Sequence, residues 1–114
     1  MDKKTITVKV PSEMHHQLLK KIIDDGYGMK GKSKWVIEAV EGFIKMDYFP
    51  ELVELADDME QLSDLISVRV SEQLVKQLDE ATLTVRKQYP VLEGVRSKLI
   101  RASILQRLIG NFPH

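Results

Sequence analysis

Two short stretches alternate between apolar Ile or Val and polar side chains: Lys4-Thr5-Ile6-Thr7-Val8-Lys9-Val10 and Leu65-Ile66-Ser67-Val68-Arg69-Val70. A period of two with β-branched residues at the apolar sites predicts strands with one buried and one solvated face. A lone strand of this length leaves its N–H and C=O groups unpaired, so the two are expected to pair with each other. Pairing would turn Ile6, Val8, Val10, Ile66, Val68 and Val70 inward, and Thr5, Thr7, Lys9, Ser67 and Arg69 outward.

Elsewhere the apolar positions recur at helical spacing. Met14, Leu18, Leu19, Ile22 and Ile23 predict a helix that starts at Pro11-Ser12-Glu13, where Pro suits the first turn, and stops at Asp24-Asp25-Gly26. After the turn-rich Gly26-Tyr27-Gly28-Met29-Lys30-Gly31, a second helix is expected near Ser33, read as its N-cap, with Trp35, Val36, Ala39, Val40, Phe43 and Ile44 as its apolar stripe. Pro50 followed by acids predicts a third helix over Glu51 to Leu62. A fourth runs from Glu72 to about Gln88. A loop from Tyr89-Pro90 to Gly94 leads to a fifth, Ser97 to Ile109, ended by Gly110. The predicted fold class is mainly α with a two-stranded antiparallel β-ribbon.

An internal repeat organises these elements. Ile6-Thr7-Val8-Lys9-Val10 matches Ile66-Ser67-Val68-Arg69-Val70 position for position, and Met14 and Leu18 match Leu74 and Leu78 at the same offset of 60. Lys32-Ser33-Lys34-Trp35-Val36 matches Arg96-Ser97-Lys98-Leu99-Ile100 at an offset of 64. Residues 1–46 and 65–114 therefore read as two strand-helix-helix copies of one intertwined domain, joined by an acidic, helical bridge over 47–64.

The formal net charge is zero, but it is unevenly spread. Residues 1–46 carry nine Lys/Arg against six Asp/Glu, and residues 65–114 eight against four; residues 47–64 carry seven acids and no Lys or Arg. Because charges are screened over about 8–10 Å at moderate salt, the two basic ends matter more to a phosphate backbone than the neutral total. With no cysteine there is neither a disulfide framework nor a thiolate metal site, which suits a reducing cytosol. No run approaches the ~18 apolar residues of a membrane span, and Met-Asp-Lys-Lys leads into a strand pattern rather than a signal sequence. A soluble cytoplasmic protein with no membrane partner is expected.

Val8-Lys9-Val10-Pro11 and Val68-Arg69-Val70-Ser71, each followed downstream by a helix start, Gly31-Lys32-Ser33 and Gly94-Val95-Arg96-Ser97, resemble the ribbon-helix-helix DNA-binding proteins of the MetJ/Arc superfamily. The resemblance covers nearly all of the chain outside the acidic bridge. Members usually carry one copy and dimerise; two copies in one chain look like the tandem arrangement of TraY-like conjugation accessory proteins. It implies a tandem ribbon-helix-helix pseudo-dimer that inserts its ribbon into the major groove of double-stranded DNA. It further implies that Thr7, Lys9, Ser67 and Arg69 face base edges, with Thr5 peripheral and its counterpart Leu65 unable to donate a hydrogen bond. Arg69 is the candidate for a bidentate guanine contact, worth about 1–3 kcal/mol of discrimination. Lys32, Ser33, Lys34, Arg96, Ser97 and Lys98 would meet phosphates at two helix N-termini, where backbone N–H groups and the helix dipole favour anions. Because the halves differ, an asymmetric DNA sequence is expected.

Plainer readings attach to other residues. His15-His16 reads as a solvated helix face, Trp35 as core or a contact between chains, and Asp57-Asp58-Glu60 as a solvated face or a dock for a basic partner. Phe49, Leu52, Leu105 and Phe112 are candidates for self-association along DNA, or for core. No phosphate loop, HExxH, nucleophile elbow or cysteine nucleophile is present in the sequence, so neither catalysis nor a cofactor is expected. A transcriptional regulator is the leading expectation. The alternatives are a plasmid transfer-origin accessory protein and an antitoxin-like interaction module whose acidic bridge captures a protein partner.

Overall fold

A computed structural model describes residues 3–28, 30–56, 59 and 61–110. Strand β1 (Lys3–Val10) pairs antiparallel with β2 (Asp64–Ser71) to form a two-stranded sheet. The register sets Thr5 opposite Arg69, Thr7 opposite Ser67 and Lys9 opposite Leu65 on one face, with Ile6 opposite Val68 and Val8 opposite Ile66 on the other. Thr7 and Ser67, which correspond at the offset of 60, thus face each other at the centre of the ribbon. The six inner Ile and Val side chains are all buried. Each contributes on the order of 1.5–3 kcal/mol over exposure to water, and a one-residue slip would turn the whole set outward, so the buried face pins the register.

Among the described residues there are five helices, most of them packed on the inner face of the ribbon. After β1, α1 (Ser12–Asp24) buries Met14, Leu18 and Ile22; after β2, α4 (Glu72–Gln88) buries Leu74, Leu78, Ala81 and Val85. Met14 and Leu18 correspond to Leu74 and Leu78 at the offset of 60, and beyond them the stripes diverge, Ile22 in α1 against Ala81 and Val85 in α4. The two helices start by different chemistry. Pro11 enters α1 in an extended conformation without a side-chain cap, whereas the hydroxyl of Ser71 accepts the Leu74 N–H at 3.2 Å.

The helices α2 (Lys32–Ile44) and α5 (Val95–Leu108) pack against each other in the middle of the molecule, α2 along β2 and α5 along β1. Trp35, Val36, Ala39, Val40 and Phe43 of α2 meet Leu99, Ile100, Ala102 and Ile104 of α5 in one hydrophobic core that draws on both halves of the sequence. The chain is therefore mainly helical around a two-stranded antiparallel sheet. Among the described residues no helix is long and apolar enough to cross a membrane.

Three helix boundaries differ from the sequence reading. Gly31, not Ser33, caps α2, and α5 begins at Val95, two residues before Ser97, because Gly94 takes a left-handed φ of 59° and turns the chain early. The bridge helix α3 is short, Phe49–Leu55, rather than running to Leu62. Glu54 near its C-terminus, followed in sequence by Asp57 and Asp58, opposes the negative end of the helix dipole, and no cation is present in its last turn. α3 is instead held by packing: Phe49 and Val53 are buried, and the Phe49 ring lies 6.0 Å from that of Phe43. Burial, together with the carboxylates of Glu51 and Glu54, raises the Tyr89 phenol above its ordinary pKa. Phe49 is part of the core, and Leu52 and Leu105 are partly buried against that core. Asp57, Asp58, Glu60 and Phe112 lie outside the described residues.

Candidate nucleic-acid interface

Strand alternation dictates what the outer face of the ribbon carries. Thr5, Thr7, Lys9, Leu65, Ser67 and Arg69 are all exposed, in three cross-strand rows, Thr5 with Arg69, Thr7 with Ser67, and Lys9 with Leu65, and the exposed Lys3 opposite Ser71 makes a fourth row at the Arg69 end. All five residues singled out as base readers are therefore brought onto one surface. Rows on one face lie about 7 Å apart, twice the strand rise, which is close to two base-pair steps of a duplex.

The central row is internally bonded, with Thr7 Oγ1 and Ser67 Oγ 3.0 Å apart. One hydroxyl donates to the other, leaving one O–H and spare lone pairs directed to solvent; the pair can exchange roles and so present a donor from either strand. The flanking rows each hold one cation, Arg69 on one side and Lys9 on the other.

Both cation-bearing residues are anchored through their backbones by the helix alongside. The Arg69 N–H donates to the Ser33 hydroxyl at 3.1 Å, and the Lys9 carbonyl accepts from Nη1 of Arg101 at 3.0 Å. Ser33, expected at a phosphate, thus ties α2 to the ribbon edge. Arg101 is a residue the sequence reading missed. It is 8% exposed on α5, and its signal was a cation set between Ile100 and Ala102 on an apolar stretch.

Other phosphate candidates are placed as follows. Lys32 and Ser97 are half-buried at the starts of α2 and α5, Lys98 is half-buried, and Arg96 is exposed. Lys34 is exposed with its ammonium 5.8 Å from the centre of the Tyr27 ring, so it lies over the α1–α2 connection.

An acid next to the outer face is turned away from it. Asp64 pairs with Val10 at the ribbon end, and alternation places it on the side opposite Leu65. There Oδ2 lies 2.9 Å from Nδ1 of His15 on α1. That hydrogen bond, aided by Ser63 and the His15 charge, lowers the Asp64 pKa despite some desolvation. His15 is accordingly a half-buried tie between α1 and β2, a correction to its reading as a solvated residue; His16 is exposed.

Trp35 is fully buried, and its indole N–H donates to Asp25 at 2.9 Å. Arg107, 7% exposed, lies 4.5 Å over the Trp35 ring and 5.4 Å from the Tyr27 ring, and donates to the Trp35 carbonyl and the Tyr27 hydroxyl at 2.7 Å each. The Tyr27 hydroxyl in turn donates to Glu38. This network ties the loop before α2 to the end of α5 and so fixes where α2 begins. Among the described residues no three His, Cys, Asp or Glu side chains gather as a metal ion would require.

No family model, curated protein or solved structure matches the chain.

Proposed function

We propose that this protein is a sequence-specific double-stranded DNA-binding protein, a tandem ribbon-helix-helix pseudo-dimer that inserts its ribbon into the major groove and acts as a transcriptional regulator. The observation that carries the reading is the outer face of the ribbon, where exposed hydroxyls at the centre are flanked by Arg69, with Lys3 beyond it, on one side and by Lys9 on the other. B-DNA admits a two-stranded ribbon in its major groove, and Arg or Lys there reads guanine O6 and N7 while hydroxyls serve either donor or acceptor edges. Support also comes from the Ser33 and Arg101 bonds, which hold the backbones of Arg69 and Lys9 rigid and so reduce the ordering cost of binding. The starts of α2 and α5, with Lys32 and Arg96, supply the phosphate contacts that set register on the duplex.

Selection from random duplexes at about 150 mM salt tests this, because affinity that survives there is more than counterion release. The expected result is enrichment of one asymmetric site, lost in a Lys9→Ala/Arg69→Ala variant that still folds. Absence of enrichment contradicts DNA reading, and perfectly palindromic half-sites for the monomer contradict the asymmetric form. A second reading, a protein partner docked at the bridge, is favoured by the exposed Tyr48 and Leu55 beside the acids of α3. Under it, partner binding persists in the same ribbon variant.

A further inference from the structure

The outer face of the ribbon holds one side chain of the wrong chemistry for a solvated strand. Leu65 is 59% exposed, opposite Lys9 and next but one to Ser67, on a surface otherwise made of hydroxyls and cations. Its counterpart across the centre is Thr5, opposite Arg69. The two flanking rows are therefore not equivalent: one pairs an arginine with a hydroxyl, the other a lysine with an isobutyl group. In water this leucine gains nothing. Among groups displayed on base edges in the major groove, the thymine C5-methyl is the one that rewards an apolar side chain.

We propose that Leu65 reads a thymine methyl group, and that this contact gives the duplex half under Lys9 a different sequence from the half under Arg69. The inference rests on the ribbon reading and deepens it. Leu65 lies one row from the Thr7/Ser67 centre, so the thymine belongs about two base pairs from the centre of the site, on the Lys9 side only. Asp64, the neighbouring acid, is held on the opposite face by His15 and does not interfere with that approach.

Replacing thymine by deoxyuridine, one position at a time, removes the methyl and leaves Watson–Crick pairing intact. On the selected duplex, wild-type binding is expected to weaken about three- to fivefold at one thymine on the Lys9 side, the value of burying one methyl-sized group. Leu65→Ala is expected to bind the thymine duplex weaker by a similar factor and to be indifferent to the replacement. Leu65→Met, which keeps an apolar chain of similar reach, should restore the response. Leu65 is exposed, so these variants are expected to keep the wild-type melting curve. Wild-type indifference to every such replacement, or an equal response in Leu65→Ala, overturns the inference while leaving ribbon binding intact. If the Lys9→Ala/Arg69→Ala variant keeps full discrimination, the ribbon reading fails and takes this inference with it.

Discussion

Arg107 gathers several contacts on one side chain in the central packing. Its guanidinium is buried, stacked on Trp35, bonded to the Trp35 carbonyl and the Tyr27 hydroxyl, and 3.5 Å from the Glu38 carboxylate. Arg107→Ala removes donors and volume together and is expected to cost about 2–4 kcal/mol, read as a lower urea midpoint. Arg107→Met, which keeps most of the volume, should recover part of that loss. Asp64 allows a test by pH. Its carboxyl binds protons less readily in the folded state than its ordinary value of 3.8, because His15 hydrogen-bonds the charged form. The stabilisation is therefore present above pH 3.8 and is lost as pH falls through the lowered folded value. Asp64→Asn is expected to be less stable than wild type at neutral pH, with the gap closing as the solution is acidified below that range. A gap that persists unchanged into strong acid would mean that the carboxylate is not the source.

Two glycines control where α2 and α5 start, and they do so for different reasons. Gly94 has φ of 59° with open space around a notional Cβ, so Gly94→Ala meets backbone strain alone and should cost about 1–2 kcal/mol. Gly31 has an ordinary φ of −91°, but a Cβ there would lie 2.6 Å from the Tyr27 carbonyl oxygen and collide with the Tyr27 side chain. Gly31→Ala is thus expected to be the more damaging in thermal melts, and to displace the start of α2 from the ribbon edge that Ser33 holds. At this scale the sequence was readable where periodicity is strong. The strands declared themselves because a period of two with Ile and Val has one physical solution, and α1 and α4 because each shows helical spacing and Met14 and Leu18 match Leu74 and Leu78 at a fixed offset. α3 was over-extended because its apolar spacing continued past the point where acids at a helix C-terminus become unfavourable. α5 began early because only the backbone shows that Gly94 is left-handed. Arg101, Arg107 and His15 were not recognised as anchors, since a cation or imidazole on a helix reads as solvated until its partners from distant segments, the Lys9 carbonyl, the Trp35 carbonyl and Asp64, are seen beside it.

Across the whole molecule, the zero net charge conceals a division of labour. All seventeen Lys and Arg lie in residues 1–46 and 65–114, against ten Asp and Glu there, while the segment between carries seven acids and no cation, and one core draws on all three. An antiparallel ribbon taking one strand from each copy gives its outer face approximate two-fold character, with Thr7 and Ser67 at the centre and Lys9 and Arg69 related across it. Departures from that symmetry are Lys9 against Arg69 and Leu65 against Thr5, and under the proposed function they would suit a DNA site with unlike halves. Under the proposed function this face enters the major groove. Guanine N7 lies in that groove and adenine N3 in the minor one, so dimethyl sulfate footprinting on the selected duplex separates the two directly. Protection of guanine N7 on both sides of the site centre, lost in the Lys9→Ala/Arg69→Ala variant, is the expected result. Unprotected N7 positions together with protected adenine N3 would contradict it.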